Sequence, residues 1–271
     1  MLQASRVDAL LGALGVVSGP GRGRGTLQAR DVGGGGWCFF LAFADQLGDG
    51  VVPDVSFLAV LALAELARRR ATFEVAVPGA SFDGSEDLDV LQARCAVQRF
   101  RPYHGQVDAF GPFAVLVLDK FEGVLAGDLL EPRRYADHME MHCLLESCAL
   151  RALVVDGSGA TVGACERLSR VQPGGDTWAE AVPELRVGSL DMVFARYDTP
   201  GWQHYRSVRF LDGGAWRVSD EARGRVAVRL ATCDVCQALL VGDVDLARGL
   251  LLSLLGSVSG GVASARVVGL E

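Results

Sequence analysis

The chain has 271 residues, half of them apolar and 22% charged, enough to bury a sizeable core, and this excludes a wholly disordered polypeptide. Its 26 Lys+Arg against 33 Asp+Glu give a net charge of -7, which excludes a global polyanion binder because affinity for phosphate needs clustered positive charge. Lys120 is the single lysine, and every other basic residue is arginine. The coding bias of a GC-rich source, which favours Arg, Ala, Gly and Val together, accounts for that imbalance.

Along the chain, Val7–Val17 has apolar residues at helical spacing and predicts a short helix. Gly19–Gly25, with Pro20 and alternating Arg and Gly, reads as a loop. Asp8 interrupts the approach to the apolar stretch and no basic run precedes it, so a signal peptide is not expected. Thr26–Val32 is expected as a strand, Gly33–Gly36 as a glycine loop, and Trp37–Leu47 as a helix with Cys38 in its first turn. Asp54–Arg70 is the clearest helix, with Asp54 able to cap it and arginines at its end to complement the dipole. Its apolar run Val55–Ala64 falls short of the roughly 20 residues that span a bilayer.

Thr72–Val77 is expected as a strand, Leu88–Arg99 as a helix, and Pro78–Asp89 and Pro102–Pro112 as loops. Ala114–Leu118 reads as a short apolar strand, Asp137–Ala149 as a helix, Leu153–Val155 as a buried strand, and Arg167–Pro183 as loop. Met192–Tyr197 and His204–Leu211 form an expected hairpin through Pro200-Gly201, its second strand beginning at the histidine. From Val218 onward the pattern is helical. Two parts are expected, residues 1–215 and a helical region 216–271. The uncharged run Gly249–Ala265 contains Gly256, Gly260 and Gly261, which disfavour a membrane anchor there.

Seven cysteines, an odd number at irregular spacings, read as free thiols in a reducing, cytoplasmic setting. A catalytic thiol needs its ionisation assisted by a helix N-terminus or a nearby imidazolium. Cys38 has the first, delivered by a glycine loop whose backbone N–H groups at Gly35, Gly36 and Trp37 can turn toward an oxyanion. A lone cysteine is more often core than nucleophile, so the thiol needs a histidine. His204 can reach across a cleft, His104 lies in a loop, and His138 and His142 sit four apart on a helix. His-Met-Glu-Met-His is not the zinc-protease spacing, which puts Glu directly after the first His. Cys233 and Cys236 form one C-x-x-C with no second pair, and they are expected on one face of a helix. No metal and no cofactor are expected.

Three separated segments together resemble one family. Gly35-Gly36-Trp37-Cys38-Phe39-Phe40-Leu41-Ala42-Phe43-Ala44-Asp45-Gln46-Leu47 resembles the catalytic-cysteine helix of the ovarian-tumour (OTU) cysteine proteases, whose pattern is Asp-Gly-Asn-Cys-Leu-Phe-Arg-Ala followed by a small residue and Gln-Leu. Tyr135-Ala136-Asp137-His138-Met139-Glu140-Met141-His142-Cys143-Leu144 is similar to the family's central Trp-Gly-Asp-His-Leu-Glu-Leu helix, and Ala152–Val155 to the strand after it. His204-Tyr205-Arg206-Ser207-Val208 resembles the catalytic-histidine segment His-Tyr-Asn/Asp-Ser-Val. The resemblance covers roughly residues 7–211, with no clear match between Ser81 and Arg134.

The resemblance implies an α/β (α+β) papain-like fold, a small central, mostly antiparallel sheet flanked by helices. It implies hydrolysis of isopeptide bonds at the C-terminus of ubiquitin or polyubiquitin, with Cys38 as nucleophile and His204 as general base. Asp137, His138 and Glu140 then match a structural helix. Trp202 and Trp37 are candidate walls of the channel for ubiquitin's tail. No nucleic-acid or membrane partner is expected.

Two positions depart from the family's pattern. The Asp three residues before the cysteine is Gly35, and the acid or amide two residues after the histidine is Arg206, which cannot accept a hydrogen bond. Another acid substitutes, or a Cys-His dyad works alone, or the chain is an impaired enzyme that binds ubiquitin. Asp31 is the first candidate acid, with Asp191 and Asp198 as alternatives. At the C-terminal end, Cys236–Leu251 is similar to the last two helices of a ubiquitin-associated (UBA) domain, with Asp243 as cap. That similarity implies a weak second ubiquitin-binding surface; an ordinary helical hairpin fits the same residues.

Overall fold

The computed structural model describes residues 27–34, 36–69, 111–127, 138–156, 168–171, 190–199, 202–210 and 218–257. Their elements are β1 (Leu27–Arg30), α1 (Cys38–Leu47), α2 (Ser56–Arg68), α3 (Gly111–Ala126), α4 (His138–Ser147), β2 (Ala152–Asp156), β3 (Leu168–Val171), β4 (Met192–Thr199), β5 (Trp202–Phe210), α5 (Asp220–Thr232), α6 (Asp234–Leu240) and α7 (Val244–Ser257). The fold is mixed α/β. The elements expected over 7–17, 19–25, 72–77, 78–89 and 88–99 lie outside the described residues.

The sheet runs β1-β5-β4-β2-β3. β1 and β4 flank β5 antiparallel, whereas β4 pairs with β2, and β2 with β3, in parallel. An evenly mixed sheet replaces the mostly antiparallel one expected. Strand direction depends on the connections, and a strand's own period-2 pattern does not carry it. β3 occupies part of a segment read as loop, since four residues are too few to show alternation. Thr199 pairs with Trp202, so β5 starts two residues before the expected histidine and His204 stands inside the strand, opposite Tyr197.

Helix α2 is the centre of the helical layer. Every residue from Leu58 to Ala67 is buried, as expected of a helix apolar on all sides. It packs against α3 and α4, and also against α5, α6 and α7. Its one buried acid, Glu65, accepts from Arg68 and from Arg229 of α5, which compensates the buried charge. Asp54 Oδ1 accepts the Ser56 N–H at 2.8 Å, satisfying one of the helix's first donors.

The stretch Ala114–Leu118, expected as a strand, is part of α3. Five apolar residues cannot separate strand from helix, but Ala114, Val117, Leu118, Phe121 and Val124 are all buried and recur at helical spacing. Glu122 of α3 receives a two-pronged pair from Arg248 of α7, at 2.7 and 3.0 Å. Lys120, 3% exposed, pairs with the equally buried Glu140 of α4. The C-terminal helices share this core: Val226, Leu230, Cys236, Ala247, Leu251 and Leu255 bury into the same cluster as Leu58 and Phe121. Among the described residues, no helix is long and apolar enough to cross a membrane.

Candidate active site

Helix α1 starts where the glycine loop ends. Gly33 and Gly36 have φ of 116° and 80°, values that side-chain-bearing residues rarely adopt. A Cβ on Gly33 would also come within 3.2 Å of Leu41 Cδ1. Trp37, the N-cap of α1, makes no side-chain capping hydrogen bond. The helix is anchored on the sheet by Phe39, whose ring meets those of Phe194 and Tyr205 at 5.5 and 5.6 Å. At its other end, the Gln46 amide donates to the Val193 carbonyl at 2.6 Å and accepts the Val193 N–H at 3.0 Å. Thus Gln46 completes a rung of the β4 ladder from a helix. Two anchors ten ångströms or so apart along a helix rising about 1.5 Å per residue fix its axis and therefore the position of its first residue.

That first residue is Cys38, 5% exposed. The backbone N–H of Tyr205 donates to its Sγ at 3.5 Å, so the sulfur lies against the strand at the residue following His204. His204, 8% exposed, has Nε2 3.3 Å from Asp31 Oδ1. Asp31 is the first residue after β1. The register Arg30 opposite Ser207 carries it to the level of Arg206, whose Nη2 lies 3.3 Å from the second carboxylate oxygen, Oδ2. The Gly33 N–H donates to Asp31 Oδ1 at 3.1 Å. Gly34 borders the ring: a Cβ there would stand 4.0 Å from His204 Cε1. The expected nucleophile, base and acid are therefore brought together from α1, β5 and the end of β1.

The electrostatics differ from expectation at the thiol. Burial pushes the Cys38 thiol up, against the lowering expected of a helix N-terminus; the N–H groups of Tyr205, Phe39 and Cys38 itself offset only part of this, and the Asp31 charge adds to the rise. Asp31 moves the other way. Burial alone would raise its carboxyl, but the Gly33 N–H, His204 and Arg206 together hold it below its ordinary value of 3.8. At neutral pH the site therefore sets a protonated thiol and an ionised carboxylate beside the His204 ring. A carboxylate accepting from Nε2–H leaves Nδ1 as the basic ring nitrogen.

The remaining candidates divide. Gly36 is buried, and Trp37, half-buried, meets Phe40 edge-on at 6.4 Å. Gly35 and the side chain of Trp202 lie outside what is described; the Trp202 backbone opens β5. Asp191 is not the orienting acid: it accepts the Arg151 N–H at 2.8 Å and pairs with Arg225 at 3.3 Å. Asp198 stands opposite Gln203 in the ladder, the rung next to the Tyr197–His204 pair. Glu140 is committed to Lys120, and His142 lies 3.5 Å from Glu146, which Arg69 also holds. Cys233 precedes α6 as its N-cap and Cys236 lies within it, both buried.

Arg206 joins the site at a position for which no role is expected. Its signal was present as the basic residue standing where the family has an acceptor, two places after the histidine. No family model, no curated protein and no solved structure matches the chain.

Proposed function

We propose that the chain is a cysteine-dependent hydrolase of the ovarian-tumour type, cleaving isopeptide bonds at the C-terminus of ubiquitin or polyubiquitin. The observation that carries the reading is the convergence of Asp31, His204 and the Cys38 sulfur between the start of α1 and β5. In the proposed cycle, Nδ1 of His204 takes the thiol proton as Sγ attacks the carbonyl of ubiquitin's terminal glycine. N–H groups at the start of α1, from Gly36, Trp37 and Cys38, face the developing oxyanion. The lysine amine leaves with the proton from His204, and a water molecule, deprotonated by the same imidazole, hydrolyses the thioester. Asp31 keeps the ring in the required tautomer and stabilises its charged form. No step uses a metal or cofactor. The raised thiol fits this order of events, since proton transfer accompanies attack instead of preceding it.

The proposal includes the papain-like arrangement of the family, a reducing compartment that suits the free thiols described, and a UBA-like role for α5–α7. Leu240, Val241 and Leu246, at 48%, 80% and 50% exposure around the α6–α7 turn, are apolar side chains open to a weak second contact with ubiquitin. Because these helices share the core of α2, that contact would lie at a fixed distance from Cys38.

A second reading, a ubiquitin-binding protein without activity, is favoured by the burial and upward shift of the thiol. The decisive experiment uses ubiquitin bearing a thiol-reactive C-terminal electrophile. The proposal expects a covalent adduct on the wild type and none on Cys38→Ala. Binding without an adduct would support the second reading, and an adduct that survives Cys38→Ala would move the chemistry to another cysteine.

A further inference from the structure

Resting on that reading of the site, we infer that Arg206 is a positioning residue: it holds the Asp31 carboxylate on His204 and so replaces, from the opposite side of the ladder, the acceptor that its own position lacks. Asp31 needs such a hold. It lies beyond the last residue of β1, and its side chain is 52% exposed, so no strand pairing restrains it. Its two oxygens are divided: Oδ1 faces His204 Nε2 and the Gly33 N–H, and Oδ2 faces Arg206 Nη2.

Arg206 is itself held. Its guanidinium carbon lies 4.4 Å from the centre of the Tyr197 ring, a cation–π contact that restricts the long side chain before it meets the carboxylate. Tyr197 faces His204 across the hairpin, and Arg206 is two residues along β5, so one ring braces the site at its base and its clamp. Arg30, the neighbouring cation at the end of β1, pairs with Asp45 at 2.9 Å.

An exposed ion pair contributes little stability, so the pair's role has to be geometric. The electrostatic sign agrees. A guanidinium near the ring opposes imidazolium formation, so as a bare charge Arg206 would hinder the base. It assists only by keeping the opposing carboxylate in place. The two effects predict opposite shifts in a pH profile.

The test is a double-mutant cycle of Arg206→Ala and Asp31→Ala, read on the ubiquitin electrophile and on alkylation of Cys38 by iodoacetamide, which requires no ubiquitin. Arg206→Ala is expected to slow both reactions on the order of tenfold, Arg206→Lys to recover part of the loss, and Arg206→Ala to add nothing in the Asp31→Ala background. The low-pH limb of the alkylation profile should move down in Arg206→Ala, as in Asp31→Ala. Unchanged rates, additive losses, or a limb that moves up would overturn the inference. A wild type that ignores the ubiquitin electrophile but shows the non-additive cycle in alkylation would remove the ubiquitin reading and leave the clamp standing. Thermal melts check that each variant is folded.

Discussion

Asp31 links two roles through one side chain. Its Oδ1 meets His204 Nε2, the contact that orients the ring in the proposed enzyme, and its folded-state ionisation is favoured by the partners that surround it. Replacing it with Asn keeps the shape and an acceptor oxygen for Nε2–H but removes the charge that stabilises the imidazolium. In the proposed enzyme this is expected to lower kcat on a ubiquitin-linked substrate by about a hundredfold or more with little change in KM, because the substrate's binding surface is untouched. Steady-state kinetics of Asp31→Asn check this; a loss confined to KM would contradict it. The same residue makes a stability prediction. Its folded pKa lies below the unfolded one, so the unfolded state binds more protons in the acid range. The stabilisation is complete above about pH 4 and disappears as pH falls through the lower folded value. Below about pH 4 the stability of Asp31→Asn should therefore fall less steeply than that of the wild type, the two curves converging in stronger acid, and parallel curves would argue against an Asp31 ionised by its partners.

Among the elements, α1 illustrates how a helix places the proposed nucleophile without contributing chemistry beyond its first turn. Gln46, eight residues from Cys38, is 1% exposed and bonds both backbone groups of Val193. Gln46→Leu would bury a side chain of similar size and leave that N–H and carbonyl without their partner. A cost of about 1–3 kcal/mol for each orphaned group is expected, measured by urea unfolding. A change under about 0.5 kcal/mol would show that α1 is held by its aromatic contacts alone. This element was readable in advance because a glycine loop, a thiol and an apolar helix follow one another in sequence. The histidine strand was readable from its alternation beside a Pro-Gly turn. The clamp was not: Asp31 and His204 are 173 residues apart, and only the β1–β5 register brings Asp31 to the level of Arg206. Similarly, α3 looked like a strand because its buried positions show a helical period only when Phe121 and Val124 are counted.

At the scale of the whole molecule, the core holds several buried thiols. Burial pushes Cys148 up from 9.0 to about 11, and Cys143 up further still. Both retain protons in the folded state at a pH where the unfolded chain releases them, so stability must fall with rising pH. The slope is about 1.4 kcal/mol per pH unit for each such thiol above the unfolded value. For Cys148 the effect spans pH 9 to about 11. Chemical denaturation across that range should show a shallower decline for Cys148→Ala than for the wild type, even where the lost volume makes the variant less stable overall. Parallel curves would indicate that Cys148 ionises freely in the folded protein. The helical content of the C-terminal region was evident from its composition, but its attachment to α2 was not, since a helix's apolar stripe does not name its partner. The same ambiguity concealed the parallel half of the sheet.

The Lys120–Glu140 pair closes the α3–α4 contact, and it leaves the chain with its only lysine amine enclosed in protein. Acylating reagents, reductive methylation and ligases that transfer onto lysine therefore meet no lysine side chain on the native surface. Lys120 becomes a built-in gauge of local opening, because its nitrogen reacts only when α3 and α4 separate. Treating the native protein with an amine-reactive ester and mapping the peptides should give Lys120 acylation that is negligible without denaturant and complete once the chain is unfolded. Rapid labelling of the native protein would place that amine in solvent and contradict the buried pair.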